Sequence, residues 1–214
     1  MQNEILTIAL PSGRMSEEAI NFLNETKIVN VQLPNTRELT FYDSDKKIRF
    51  LLVRNQDIPL TVIHGGANAG ICGKDILYEN GYDLTYPVSL PFGYCRLSLA
   101  ISSDLDEKQF FKKSHIRVAT KYPNLTKDYF FKKGINAEII KLHGSIELGP
   151  ILGIADCIVD LVSTGRTLKE NNLKEVEVIL ESTATLIVNK ASYYIFHKQI
   201  RELIQILKHK INKN

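Results

Sequence analysis

The chain has 214 residues, 44% of them hydrophobic and 24% charged, with a formal charge of +3. That is enough apolar material to bury a core, in a composition too balanced for a disordered or fibrous chain. The excess lysines are scattered among acids in short groups such as Lys112-Lys113 and Lys132-Lys133, so a nucleic-acid role has little support, and no apolar run nears the ~18–20 residues of a membrane span.

From the N-terminus, Met1-Gln2-Asn3-Glu4 lacks the basic start of a secretory signal, which predicts a cytoplasmic protein. Residues 5–10 read as a buried strand, followed by the tight loop Pro11-Ser12-Gly13-Arg14 and a helix with Met15, Ala19, Phe22 and Leu23 on one face. Residues 41–42 and 48–53 form a predicted strand pair around a polar turn, and Asp57 with Pro59 opens a short helix closed by Gly65-Gly66. A buried strand over 69–72 then feeds a helix starting near Lys74-Asp75. Residues 87–93 are a Pro- and Gly-bearing crossing, read as an interdomain hinge. Beyond it come a strand over 96–101 and a second lobe: strand 116–119, helix 126–133, strand 137–141, helix 145–152 and strand 157–162. Two strands, 176–181 and 185–188, are expected to return to the first lobe. An amphipathic helix over 193–210 closes the chain, packing on that lobe or offering a partner surface.

The alternation of strands and helices predicts an α/β architecture with a largely parallel sheet. The expected division is residues 1–91 with 181–214 as lobe I and 92–180 as lobe II. Cys72, Cys95 and Cys157 are odd in number and widely spaced, with no Cys-x-x-Cys pair; they read as buried thiols, and no metal site is expected from the protein's own ligands.

The segment richest in chemistry is 157–168, an apolar strand ending in Asp160 and then the small hydroxyl-bearing run Ser163-Thr164-Gly165-Arg166-Thr167 at a helix start. Such a loop can aim backbone N–H groups and hydroxyls at one phosphate. Asp160 would repel that phosphate unless it faced something else, such as a sugar diol, so phosphate plus ribose points to a 5-phosphoribosyl group. The alternative is a plain capping loop with Ser163 or Thr164 as N-cap. In 70–77, Gly70 and Gly73 flank a buried strand and permit close approach, while Asp75 is a helix cap or a ligand. Arg14 and Arg37 supply forked donors suited to phosphate, although a lone arginine is more often a surface charge. Glu147 lies one turn into a helix that Ser145 could cap. No histidine arrangement supports a hydrolase.

Taken in order, Pro11-Ser12-Gly13-Arg14, residues 70–77, Ala119-Thr120-Lys121-Tyr122-Pro123-Asn124, Gly144-Ser145-Ile146-Glu147 and residues 160–168 resemble the motifs of the ATP phosphoribosyltransferase family. The chain looks like the short form, without a C-terminal regulatory domain. The resemblance implies two α/β lobes like a type II periplasmic binding protein, with the active site in the interlobe cleft. It implies transfer of the phosphoribosyl group of phosphoribosyl pyrophosphate (PRPP) to N1 of ATP, the first step of histidine biosynthesis, with Mg²⁺ on the substrate phosphates. By the same resemblance Ser163, Thr164, Gly165, Arg166 and Thr167 hold the 5-phosphate of PRPP and Asp160 its hydroxyls, with Glu147 and Tyr122 nearby. Gly13, Arg14, Lys74 and Asp75 face ATP, and Arg14 and Arg37 act on phosphate charge at the reacting centre. A regulatory subunit like histidyl-tRNA synthetase is implied, with a homodimer of this chain inside a hetero-octamer. One departure stands out: Ser12 occupies a position where the family often has lysine. The competing reading is a two-lobed binding module that holds an anion without chemistry.

Overall fold

A computed structural model describes residues 5–34, 38–45 and 47–213. It contains two compact α/β units, one of residues 1–77, 81–93 and 183–214, the other of 78–80 and 94–182. The passages at 93/94 and 182/183 fall two residues later than the boundaries expected at 91/92 and 180/181, and the brief excursion at 78–80 was not expected.

Unit 1 is built on a six-stranded sheet ordered β2-β3-β1-β4-β11-β5. Its strands are β1 (Leu6–Pro11), β2 (Thr40–Tyr42), β3 (Ile48–Val53), β4 (Ala69–Gly73), β5 (Thr85–Ser89) and β11 (Ala184–Val188). β1 is buried along its whole length and lies parallel to both β3 and β4. An unbroken apolar run belongs at such a central place, because both faces of the strand are covered. On one face α1 (Arg14–Glu25) and α9 (His197–Ile211) meet Leu6, Ile8, Leu10 and Val188 through Ala19, Leu23, Ile200, Leu203 and Leu207. On the other, α2 (Ile58–Ile63) sets Ile58 and Val62 against Ala9, Cys72 and Ile187.

The fit of α2 on β4 depends on Gly70. A Cβ built there would stand 2.6 Å from Ile58 Cγ2 and 3.0 Å from Val62 Cγ2. Gly70→Ala is therefore expected to destabilise the chain by about 1–3 kcal/mol through overpacking, seen as a lower urea midpoint at unchanged m-value. An unchanged midpoint would mean that α2 moves aside freely.

Unit 2 holds a five-stranded sheet ordered β10-β6-β9-β7-β8. The strands are β6 (Cys95–Ser102), β7 (His115–Thr120), β8 (Asn136–Lys141), β9 (Cys157–Val162) and β10 (Leu173–Ser182). One face carries Leu97, Leu99, Val118 and Val159, with Phe130 of α5 (Pro123–Lys132) in the same cluster; the other carries Ala100, Ala119, Ile158 and Val162, clustered with Leu168. No described helix is long and apolar enough to cross a membrane.

Several expectations need correction. The sheets are mixed rather than largely parallel: β2–β3, β4–β11, β5–β11, β6–β9 and β6–β10 are all antiparallel. The expected hinge segment begins inside β5, which pairs with β11. β10 stays in unit 2 against β6, and only β11 belongs to unit 1. The short helix α4 (Glu107–Phe110) was not foreseen, although its Asp106 caps the Gln109 N–H at 2.9 Å, an N-terminal signature legible in the chain. α5 starts three residues earlier than expected because Pro123 suits the first helical position. The closing helix is two: α8 (Lys190–Ile195), capped by the Asn189 side chain on the Ser192 N–H, and α9, parted at Phe196, whose backbone leaves the helical region and whose ring enters the core. α9 packs on unit 1, the first of the two roles weighed for it.

Candidate active site

In unit 2, β9 is apolar and buried until Asp160, after which the chain turns through Ser163, Thr164 and Gly165 into α7 (Arg166–Glu170). The helix N-cap is Gly165, not Ser163 or Thr164, and Gly165 adopts the left-handed backbone at φ 76°. That conformation is costly for a residue with a Cβ. It leaves the hydroxyls of Ser163 and Thr167 free of capping duty, while Thr164 Oγ1 takes a long contact of 3.4 Å from the Arg166 N–H. Thr164 and Gly165 have no partner for their own backbone N–H groups among the described residues. Unspent donors at a helix start favour an anion.

This loop lines an open cavity of about 350 Å³ with Lys121, Ser145, Glu147, Asp160 and Arg166. Strand register explains the gathering. Ala119 pairs with Ile158, so Lys121 leaves β7 on the face that carries Asp160. Burial holds the Asp160 carboxyl above the usual carboxylate range; Glu147 adds to the rise, while the Leu161 N–H and Lys121 oppose it. Ser145 takes a left-handed φ of 47° and caps nothing, and the helix after it, α6 (Leu148–Ile151), is shorter than the expected 145–152. Glu147 stands at its N-cap, facing the cavity. Arg166 is ion-paired in this state to Glu170 at 2.7 Å on the exposed side of α7.

Of the residues expected here, Glu147, Asp160, Ser163, Thr164, Gly165, Arg166 and Thr167 share one cavity. Tyr122 does not: its side chain is 6% exposed in the core beside α5. Consecutive residues leaving a strand point to opposite faces, so Lys121, not Tyr122, reaches the cavity. Behind the loop is a second group that the sequence reading missed. Arg96 Nη1 donates to the Ser163 carbonyl at 3.1 Å, while its Nε and Nη2 donate to Glu175 Oε1 and Oε2 at 2.5 and 2.6 Å. The Ser98 hydroxyl donates to the same Glu175 Oε1 at 2.7 Å. Ser98 and Asp160 are register partners.

In unit 1 the expected residues lie at the carboxyl ends of two adjacent parallel strands, the usual ligand edge of an open α/β sheet. After β1, Gly13 takes φ 94° and ψ −156°, a backbone reserved for glycine, and Arg14 opens α1. Arg14 is mostly exposed, with Nε 3.4 Å from Glu18 Oε1, and Glu18 Oε2 accepts the Gly93 N–H at 2.9 Å. After β4, Gly73 is the N-cap of α3 (Lys74–Asn80); Lys74 is partly exposed, and Asp75 is buried inside the first turn with its carboxylate folded over Gly73. Arg37 lies outside the described residues.

Comparison with known proteins identifies the family. The family model described as HisG, ATP phosphoribosyltransferase, matches residues 54–209. The ATP phosphoribosyltransferase of Leptospira biflexa serovar Patoc is 54% identical over 204 residues, 95% of this chain and 99% of that protein. Among solved structures, a chain of the ATP phosphoribosyl transferase (HisG:HisZ) complex from Thermotoga maritima superposes with TM-score 0.79 at 33% identity, covering 98% of this chain and all of that one. The periplasmic aliphatic sulphonate binding protein SsuA of Escherichia coli, at TM-score 0.65 and 11% identity over 97% of this chain and 72% of its own, shares the fold alone. With the family model covering most of its length and a relative more than half identical over 95% of it, the chain belongs to the ATP phosphoribosyltransferase family.

Proposed function

We propose that the cavity at the β9–α7 loop holds the 5-phosphoribosyl part of PRPP, and that the loops after β1 and β4 take ATP, in the phosphoribosyl transfer that opens histidine biosynthesis. The observation that carries this reading is the pairing of unspent N–H donors at Thr164 and Gly165 with a half-buried acid, Asp160, in one cavity. The donors suit a phosphate. The acid suits a sugar diol, whose hydroxyls it accepts once ionised.

In the reaction a bond forms between adenine N1 and C1 of the ribose, and the bond from C1 to the pyrophosphate oxygen breaks, its electron pair leaving on pyrophosphate. N1 already holds a lone pair, so no protein base has to create the nucleophile. What the chain supplies is position and charge. Ser163, Thr164, Gly165 and Thr167 anchor the phosphate, Asp160 orients the ribose, and Lys121 and Arg166 balance negative charge. Arg14 and Arg37 meet the leaving pyrophosphate, and Gly13, Lys74 and Asp75 receive ATP. Among the described residues no three His, Cys, Asp or Glu side chains are grouped to hold a metal. Mg²⁺ is proposed to arrive with the substrate phosphates, where it would offset charge on the leaving pyrophosphate.

The proposed setting is cytoplasmic. The proposed assembly is a homodimer of this chain within a hetero-octamer, with a partner like HisZ of the Thermotoga maritima complex. The test is to mix the chain with ATP, PRPP and Mg²⁺, with and without such a partner, and to follow pyrophosphate release and phosphoribosyl-ATP by mass spectrometry. Adduct in either mixture supports the enzyme; both ligands bound with no adduct in either would leave a two-lobed anion-binding module.

A further inference from the structure

We propose that Arg96, locked by Glu175, is a positioning residue for the phosphate loop: it fixes the Ser163–Thr164 peptide so that the Thr164 N–H is turned toward the 5-phosphate of PRPP. The inference rests on the reading of this loop as the PRPP site.

A peptide unit is planar and trans, so its C=O and N–H point in opposite directions. The Ser163 carbonyl is held by Arg96 Nη1 at 3.1 Å. The N–H of the same unit, on Thr164, therefore points away from Arg96, and Thr164 itself lines the cavity. Arg96 does not line it. Its guanidinium meets the loop at the Ser163 carbonyl, with Nε and Nη2 spent on the two oxygens of Glu175. A bidentate pair of this kind fixes the guanidinium plane as well as its position. Glu175 also cancels the charge that would otherwise make Arg96 a competing anion site. Each partner stabilises the ionised form of the other: hydrogen bonding to Glu175 pushes the Arg96 guanidinium up, and hydrogen bonding to Arg96 pulls the Glu175 carboxyl down.

The place of Glu175 depends on an irregularity in β10. Glu175 pairs with Ala100, yet Glu177 pairs with Leu99, so Val176 is an extra residue in the strand. Such a bulge re-aims side chains. Glu175 is left on the face of Ala100, Ser98 and Arg96, whereas Glu177 turns to the opposite face and accepts the Tyr129 hydroxyl at 2.9 Å. In a regular strand both acids would share one face.

The experiment uses the full chain with its synthetase-like partner and measures kcat and KM for each substrate, with the melting temperature alongside. Arg96→Ala and Glu175→Ala are each expected to raise KM for PRPP on the order of tenfold or more, with KM for ATP changed less than twofold. Because the two side chains act as one unit, the double variant should be no worse than Arg96→Ala alone. Arg96→Lys, which cannot bond Glu175 bidentately and Ser163 together, should recover only a minor part. Equal effects on both substrates, additive losses in the double variant, or a folded Arg96→Lys with unchanged KM for PRPP would overturn the proposal. Should Arg96→Ala fail to fold, Glu175→Gln and Arg96→Lys carry the test. Failure of the underlying reading looks different, since unsubstituted chain would then show no PRPP saturation at all.

Discussion

Asp160→Asn is expected to weaken PRPP binding roughly a hundredfold while raising the melting temperature at neutral pH. A carboxylate that accepts two ribose hydroxyls makes charge-assisted bonds worth about 1.5–3 kcal/mol each, and an amide replaces only part of that. A loss of about 3 kcal/mol corresponds to about two decades of affinity. The stability change has the opposite sign. Burial, with Glu147, holds the Asp160 carboxyl above its ordinary value in the folded chain. A carboxyl raised in the folded state favours folding where it is protonated, and that contribution is lost as pH rises from its unfolded value through its folded one. At neutral pH the native chain therefore carries the cost of a poorly solvated charge, which asparagine removes. The gap in melting temperature between the two proteins should narrow as pH falls toward the raised value. KM for PRPP should also climb in acid at a higher pH than an ordinary carboxylate would dictate. The phosphate of PRPP has a second ionisation of its own near 6, so the component belonging to Asp160 is the part of the pH profile that vanishes in Asp160→Asn. Saturation calorimetry with PRPP and thermal melts across that range read both effects. An affinity for PRPP within twofold of the unsubstituted chain would remove Asp160 from the ribose contact.

The strands that carry the site were legible because each is a short, mostly apolar run that ends in or leads directly into glycine or hydroxyl residues, as β1, β4 and β9 do. What the linear pattern hides is register. Glu175-Val176-Glu177-Val178 reads as plain alternation with both acids on one face, and only pairing with β6 reveals the bulge that separates them. The family resemblance put Tyr122 near the phosphoribosyl group, whereas register puts Lys121 at the cavity: they are neighbours in one motif, but they leave β7 on opposite sides. Arg96 gave no signal of its own, being one arginine at the start of an apolar strand. Its meaning comes from partners 67 and 79 positions away. The split of the closing helix at Phe196 was also unmarked, since neither glycine nor proline stands there and the break serves the burial of that ring. Local chemistry was thus readable wherever a loop follows directly from its strand, and unreadable wherever distant strands had to be aligned first.

Arg14→Ala is expected to lower kcat by a factor on the order of 10²–10³ with little change in KM for ATP. In the proposed transfer, negative charge on pyrophosphate is larger in the transition state than in bound PRPP. A donor aimed at that oxygen therefore contributes mainly to turnover, and the loss of one such donor costs about 2.7–4 kcal/mol. The structure makes this residue a clean subject. Its side chain is 72% exposed, and its one ion pair among the described residues, to Glu18 at 3.4 Å, is an i,i+4 surface contact of a kind worth only about 0.3–0.5 kcal/mol. Glu18 keeps its hold on the Gly93 N–H when Arg14 is gone, so the melting temperature should scarcely move. A large fall in kcat at constant stability can then be attributed to chemistry rather than to folding. Arg14→Lys separates charge from shape: a point charge at this position should restore part of the rate, whereas a forked, two-oxygen contact would be restored poorly. A rise in KM for ATP at unchanged kcat would instead assign Arg14 to ground-state binding of the nucleotide, leaving the leaving group to other donors.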